Sequence, residues 1–154
     1  MSLEVIYFDI HHAIREHDWI INYSGGKNGI KDVSVIESVL VHIQNDIYYP
    51  DFIDKLTHLV FCVNKFHVFT DGNKRTSLAL GAYFLEINGY GYCLNYFMTE
   101  LENIAVWVAD NYIDKDFLHE ILTSIIYEDD FPEELKLKIA EIKINKNNNS
   151  KSSQ

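Results

Sequence analysis

Apolar residues recur along most of the chain at the three- and four-residue spacing that places them on one face of a helix. The first such run covers residues 3–17, and a glycine-rich loop follows at residues 23–29. A second helix is predicted to begin at Asp32 or Ser34, and a third near residue 50. The third helix carries an apolar stripe that leads into the next loop: Phe52, Leu56, Leu59, Val60 and Val63.

The second half of the chain continues this helical pattern. Further helix starts are indicated by capping residues and a first-turn proline: Asn73 or Lys74, Asp114 or Asp116, and Pro132. Gly89 fits the left-handed residue that closes a helix. Residues 46–49 and 90–97 alone look extended, which predicts a small hairpin or flap. The pattern therefore predicts an all-α fold, a compact helical bundle.

The length of 154 residues suits one domain with a single core, and we expect this domain to cover residues 1–144. Apolar residues make up 47% of the chain, which is enough to build that core. Residues 145–154 are polar and rich in asparagine, serine and lysine, with no apolar residue to dock. This composition predicts a disordered tail.

The net charge of −10 argues against a nucleic-acid partner, because phosphate binding depends on Lys and Arg. Cys62 and Cys93 lie among apolar neighbours, so we expect two buried thiols rather than a disulfide or zinc set. No apolar run approaches the length of a membrane span. Glu4 and Asp9 interrupt the N-terminal apolar pattern, unlike a signal peptide, so a cytoplasmic location is expected.

One loop combines several chemical groups within residues 67–75. His67 is a candidate base, because a histidine side chain can accept a proton at neutral pH. Asp71 is a candidate magnesium ligand, and the cations Lys74 and Arg75 begin a buried helix whose N-terminus favours anions. Each residue alone has a simpler explanation, such as a structural histidine, an Asp-Gly turn or a helix cap. Their combination favours phosphoryl or nucleotidyl transfer.

The string from His67 to Arg75, HVFTDGNKR, resembles the motif of the Fic/Doc family, in the lysine-containing version of the Doc (death-on-curing) branch. The resemblance extends to the residues around Gly29–Asp32, to Tyr49–Asp51 and to Thr76–Tyr90, and it is strongest over residues 3–126. It implies the all-α Fic-type bundle, with the active-site loop between two central helices.

The resemblance also implies a role for each motif residue. His67 is then the base that deprotonates a target hydroxyl, Phe69 anchors the loop, and Asp71 binds Mg²⁺. The remaining residues form the site for ATP: the backbone near Gly72 and Asn73 make an anion hole, and Lys74 and Arg75 hold the phosphates.

The family implies more than one reaction. AMP-transferring members have glycine where this chain has Lys74 and a second arginine where it has Leu78. Doc-type members resemble this chain at both positions and move the terminal phosphate of ATP to a translation elongation factor. A Doc-like toxin kinase is therefore the first hypothesis. A protein nucleotidylyltransferase and a catalytically silent binding module are the alternatives.

Doc-like toxins are usually held by a small antitoxin, which is the partner that the resemblance implies. Ser124-x-x-x-Glu128-Asp129 approaches the internal inhibitory motif of other Fic proteins but ends in the wrong residue, which favours an ordinary helix end. Glu37 and Asn64 are two further polar residues whose positions relative to the loop the sequence leaves open. His17 is interpreted as a surface or packed residue.

Overall fold

The computed structural model describes residues 4–152, and this part of the chain is helical apart from connecting turns and one isolated bridge. A short 3₁₀ helix, Gly91–Cys93, precedes the fifth α-helix. The α-helices within the described residues are α1 Ile10–Ser24, α2 Val33–His42, α3 Phe52–Lys65, α4 Asn73–Ile87, α5 Leu94–Ala109, α6 Lys115–Tyr127 and α7 Glu133–Ser152. The all-α prediction is confirmed.

Helices α3 and α4 form the centre of the bundle. The predicted apolar stripe of α3 is buried, with Leu56, Leu59, Val60 and Val63 at 0% exposure, and α3 packs against α2, α4, α5 and α6. Helix α4 packs in turn against α1 and α5. The loop between α3 and α4 therefore begins and ends on the two most enclosed helices, which fixes both of its ends.

Aspartates begin several of the helices by accepting a first-turn N–H. Asp32 caps α2 through the Ser34 amide at 3.1 Å, and Asp114 caps α6 in the same way, as predicted. The first helix differs from the prediction. Asp9 caps it by accepting from the His12 N–H, so α1 begins at residue 10 and continues to Ser24.

The predicted hairpin or flap is wrong at both segments. Residues 46–49 form turns, because the Asn45 side chain accepts the Ile47 N–H and the buried Lys55 ammonium donates to Asp46. Residues 90–97 contain the 3₁₀ turn and the start of α5. There the buried Cys93 and Phe97 lie four residues apart, a helical spacing that overrides the local preference for strand.

The polar segment from residue 145 differs from the expected tail, because α7 continues through it to Ser152. Lys146 lies 3.5 Å from the Asp110 carboxylate, and the Asn149 amide donates to the Tyr112 hydroxyl. Two polar contacts thus hold this stretch against the end of α5, while the last two residues of the predicted tail lie outside the described part. No helix within residues 4–152 has the length and apolar character that a bilayer span requires.

Helices α3 and α6 also enclose a polar group, the imidazole of His58. Its Nδ1 accepts from the Lys115 ammonium at 2.7 Å, and the Tyr49 hydroxyl lies 3.3 Å away. Burial, with the charges of Lys115 and His42, lowers the pKa of His58 to about 4. Cys62, one turn further along α3, is a buried free thiol, as is Cys93.

This environment predicts a pH-dependent stability. The unfolded chain binds a proton at His58 below about pH 6.5, whereas the folded protein does so only near pH 4. His58 therefore contributes stability that is fully present above pH 6.5 and lost as the pH falls toward 4. Between pH 7 and 4.5 the unfolding free energy of the wild type falls. We expect it to fall by about 1–3 kcal/mol less in His58→Gln. Urea unfolding measures this difference.

The exposed His11 provides the control for that measurement. His11→Gln should keep the pH dependence of the wild type. Equal pH dependence in the wild type and His58→Gln would contradict a neutral, half-buried His58.

Candidate active site

The connection between α3 and α4 surrounds a cavity of about 390 Å³. The cavity brings together the predicted residues of the motif except Phe69, and it adds the end of α5. Its lining consists of Asn64, His67, Thr70, Asp71, Gly72, Asn73, Lys74, Arg75, Ala109 and Asp110. Of the two polar residues left open by the sequence, Asn64 lines this cavity and the exposed Glu37 does not.

Phe69 lies beneath the loop, fully buried, and does not line the cavity. Its ring stacks on His17 of α1 with 3.8 Å between centroids and 8° between planes. The Nε2 of His17, which is also fully buried, donates to the Asp71 carbonyl at 2.7 Å. His17 thus holds the loop at two points. The sequence offered no signal for this role beyond a lone histidine on a helix.

Asn73 closes the loop on itself. Its Oδ1 accepts the Phe69 N–H at 2.9 Å, and its Nδ2 donates to the Phe69 carbonyl at 2.9 Å. The amide side chain is therefore engaged inside the loop, so Asn73 presents its backbone N–H as the group available to an anion.

The glycine-rich loop lies along the outer side of the same segment. Thr70 N–H donates to the Gly29 carbonyl at 3.0 Å, and the Lys31 N–H donates to the Val68 carbonyl at 2.9 Å. Gly29 has φ +130°, and a Cβ there would lie 2.8 Å from the Thr70 Oγ1. Glycine adopts this backbone conformation readily and leaves room for the Thr70 hydroxyl. The sequence predicted the loop, but not that it pairs with residues 68–70.

Asp71 is held by backbone N–H groups. Its Oδ2 accepts from Lys27 at 3.1 Å, and its Oδ1 accepts from Gly72 at 2.8 Å. These two hydrogen bonds, with the nearby charges of Arg75 and Lys27, keep the pKa of Asp71 below its ordinary value of 3.8. A carboxylate has about four lone-pair positions, so each oxygen retains capacity for a further partner such as a metal ion.

The N-terminus of α4 opens into the cavity without a side-chain cap. Gly72 is the capping residue, with φ +78°, and no side chain within the described residues caps the first N–H groups of the helix. This differs from α1, α2 and α6, each of which begins with an aspartate that accepts a first-turn N–H. The first N–H groups of α4 and the positive end of its dipole are thus available to an anion.

The two cations of the motif have different surroundings. Arg75 Nη1 donates to the Ser24 hydroxyl and, at 3.0 Å, to the Gly25 carbonyl, so its guanidinium lies against the C-terminal end of α1. The Lys74 side chain is exposed, with no hydrogen bond or ion pair to any residue in the described part of the chain. At the end of α5, Asp110 also lines the cavity and pairs with Lys146 of α7.

His67 has an unusual backbone conformation, with φ +47°, in the left-handed region that a residue with a side chain seldom adopts. Its side chain is exposed at the cavity. Strained residues of this kind persist where the surrounding structure fixes them, and they are frequent at active sites. Here the turn from α3 and the pinned Phe69 impose the conformation.

The segment around Ser124 and Glu128 is separate from this cavity. Ser124 is buried and donates to Glu128 over 3.4 Å, and both residues line a groove beside the start of α7. Glu128 closes α6 as an ordinary helix end, which is the interpretation that the sequence favoured.

Comparison with known proteins identifies relatives of the chain. The profile of the Fic/DOC family matches residues 7–85, more than half of the 154-residue chain. A curated protein, Toxin Doc of Mycolicibacterium smegmatis, is 29% identical over 96 residues, which covers 60% of this chain and 74% of that protein. The matched family region runs from the residues just before α1 through most of α4, so it includes the whole loop described above.

The contact between Gly26 and Asp71 yields a testable prediction. Gly26 has φ +127°, and a Cβ there would lie 2.8 Å from the Asp71 Oδ2 and 2.9 Å from Ile21 Cδ1. Gly26→Ala should therefore displace the carboxylate from the Lys27 N–H, and the pKa of Asp71 should rise toward its ordinary value. Carboxyl ¹³C NMR titration measures this shift.

Gly25→Ala is the matched control, because Gly25 also has a positive φ, +88°, but nothing lies within 4 Å of its Cβ position. Both variants should lose about 1 kcal/mol of stability from backbone strain. Only Gly26→Ala should change the Asp71 titration. An equal rise of the Asp71 pKa in both variants, or in neither, would contradict the direct contact.

Proposed function

The chain belongs to the Fic/DOC family, and from this premise we propose that it is a Doc-like toxin that transfers the terminal phosphate of ATP to a hydroxyl of a protein target. Members of this family typically transfer nucleotide or phosphate groups. The relative named Toxin Doc supports the toxin assignment within the family. The resemblance further suggests a translation elongation factor as the target, with arrest of translation as the consequence.

One observation carries the proposal. A single cavity combines an exposed histidine, a fixed carboxylate, an uncapped helix N-terminus and an exposed cation. A phosphate group bound at the N-terminus of α4 would meet backbone N–H groups and the Lys74 ammonium. His67 on the same cavity would face a hydroxyl that approaches that phosphate. Positioning and electrostatic stabilisation of this type are what phosphoryl transfer requires.

In the proposed reaction the target hydroxyl gives its proton to a ring nitrogen of His67 as its oxygen forms a bond to the terminal phosphorus of ATP. The bond between that phosphorus and the bridging oxygen breaks, and ADP leaves with the electron pair. The first-turn N–H groups of α4, with Lys74, would stabilise the charge on the transferred group.

The donor set also fits magnesium, which the family generally uses. Mg²⁺ is bound in such sites by one or two carboxylates together with substrate phosphates rather than by an all-protein cage. Asp71 offers one fixed carboxylate, and residues 4–152 contain no group of three or more His, Cys, Asp or Glu side chains arranged for a metal. Asp71 would hold the ion, which would neutralise phosphate charge.

The surroundings of Leu78 favour phosphate transfer over AMP transfer. Leu78 lies one turn after Lys74 and is buried at 9% exposure in the core cluster. The position that carries an arginine in AMP-transferring members therefore supplies no cation here to grip the distal phosphates. Lys74 supplies a charge at the helix start instead, which favours the Doc-like orientation of ATP.

A separate antitoxin is the proposed regulator. Ser124 and Glu128 line a groove other than the cavity of the motif, so they offer no inhibitory contact to it. The protein carries a net charge of −10, which suits a partner with basic segments.

The test uses purified protein, Mg²⁺ and a bacterial translation extract, with ATP labelled in parallel on its α- or γ-phosphate. We expect only the γ label to appear on a protein and to vanish with His67→Ala, because the base is lost. His11→Ala, which changes an exposed histidine outside the cavity, should retain the transfer.

Transfer of the α label would contradict phosphate transfer and support the nucleotidylyltransferase alternative. Failure to transfer either label, together with no binding of Mg²⁺–ATP, would contradict both reactions and support a silent binding module.

A further inference from the structure

Asn64 is a buried amide in the last turn of α3, at 0% exposure, and it belongs to the cavity wall. Its Nδ2 donates to the Val60 carbonyl at 2.9 Å and to the Ser77 hydroxyl at 2.8 Å. The Val60 carbonyl only accepts hydrogen bonds, so the amide nitrogen must be the atom that faces it. The orientation of the Asn64 side chain is therefore determined.

The Ser77 hydroxyl continues this chain of hydrogen bonds by donating to the Lys74 carbonyl at 2.7 Å. Asn64 thereby connects the end of α3 to the first turn of α4. This connection is a structural role, and it uses only the nitrogen of the amide.

The oxygen of the same amide, unlike the nitrogen, is unpaired within the described residues. The Oδ1 of Asn64 is buried and has no hydrogen-bonding partner among residues 4–152. Buried acceptors are nearly always paired in folded proteins, because burial without a partner is unfavourable. An unpaired acceptor in the wall of the cavity therefore indicates a donor on a neighbouring group that can reach it.

The hydrogen bonds already made in the cavity wall limit which group can donate to the Asn64 Oδ1. Asn73 Nδ2 donates to the Phe69 carbonyl, and Arg75 Nη1 donates to Ser24 and Gly25. The side-chain donors that remain are the His67 ring, the Thr70 hydroxyl and the Lys74 ammonium, since none of the three has a hydrogen bond within the described residues. Oδ1 is inaccessible to solvent, so a large ligand has no direct route to it, whereas a neighbouring side chain does.

His67 follows Asn64 by three residues and lines the same cavity. A histidine acts as a base through one ring nitrogen only when the other carries the hydrogen, and an acceptor for that N–H selects the tautomer. We propose that the Asn64 Oδ1 accepts the N–H of one His67 ring nitrogen, which leaves the other nitrogen free to take the proton of the target hydroxyl. Asn64 is then a positioning residue, and this role rests on the proposed function.

The first test measures the tautomer ratio of the His67 imidazole by long-range ¹H–¹⁵N NMR, at a fixed pH where the ring is neutral. The wild type should strongly favour one tautomer, and the isosteric Asn64→Leu should lose that preference. Ser77→Ala is the matched control, because it removes the partner of Nδ2 and leaves Oδ1 in place. Both variants retain the charged groups that line the cavity with His67: Asp71, Lys74, Arg75 and Asp110.

The second test is kinetic. Asn64→Leu should lower kcat about 10–100-fold, the range seen when the partner that orients a metal-binding histidine is lost, with the KM for ATP unchanged. Ser77→Ala should lower kcat by less than about tenfold, because the acceptor for His67 is intact.

Several outcomes would overturn the proposal. One is a His67 tautomer ratio that is unchanged in Asn64→Leu. A second is an equal loss of the tautomer preference in Ser77→Ala. A third is a change of the NMR signal of the Lys74 ammonium, and not of His67, in Asn64→Leu. If Asn64→Leu fails to fold, the wild-type spectrum alone tests the proposal. A His67 tautomer ratio like that of free histidine would then contradict the hydrogen bond to Asn64. The NMR result does not depend on catalysis, so an inactive protein with a fixed His67 tautomer would contradict the proposed function and not this contact.

Discussion

The fixed position of Phe69 is the constraint on which the rest of the site depends. Its ring stacks on His17, and its backbone N–H and carbonyl are both bound by the Asn73 side chain. The residues on either side of it pair with Gly29 and Lys31, at and just after the end of the glycine-rich loop. A connection between two buried helices is thus held on three sides, by α1, by α4 and by a neighbouring loop, before any ligand binds.

This constraint also fixes the positions of Asp71 and of the first N–H groups of α4. His17 holds the Asp71 carbonyl while the Lys27 N–H holds its carboxylate, so both ends of Asp71 are fixed. Gly72 then starts α4 without a cap and leaves its N–H groups directed at the cavity. Because these dipoles are oriented in advance, little reorganisation would be needed when charge develops on a bound phosphate.

Much of this arrangement could be predicted from the sequence. The stripe of α3, the start of α4 at Asn73 and the cluster of polar residues in the loop follow from local spacing and residue type. Local patterns do not reveal contacts between distant segments. The pairing of Gly29 with Thr70 and the stacking of His17 on Phe69 join segments far apart in the chain, so neither was predicted. Tertiary burial likewise made residues 91–97 helical.

Amide hydrogen exchange in the free protein tests most directly whether the loop is fixed before a ligand binds. The N–H groups of Phe69 and Thr70 should exchange nearly as slowly as those of α3, because they donate within the loop and to Gly29. His17→Leu should accelerate exchange at Phe69 and Thr70 and leave the centre of α3 unchanged. Exchange of both amides in the wild type at the rate of an unstructured loop would contradict a preorganised site.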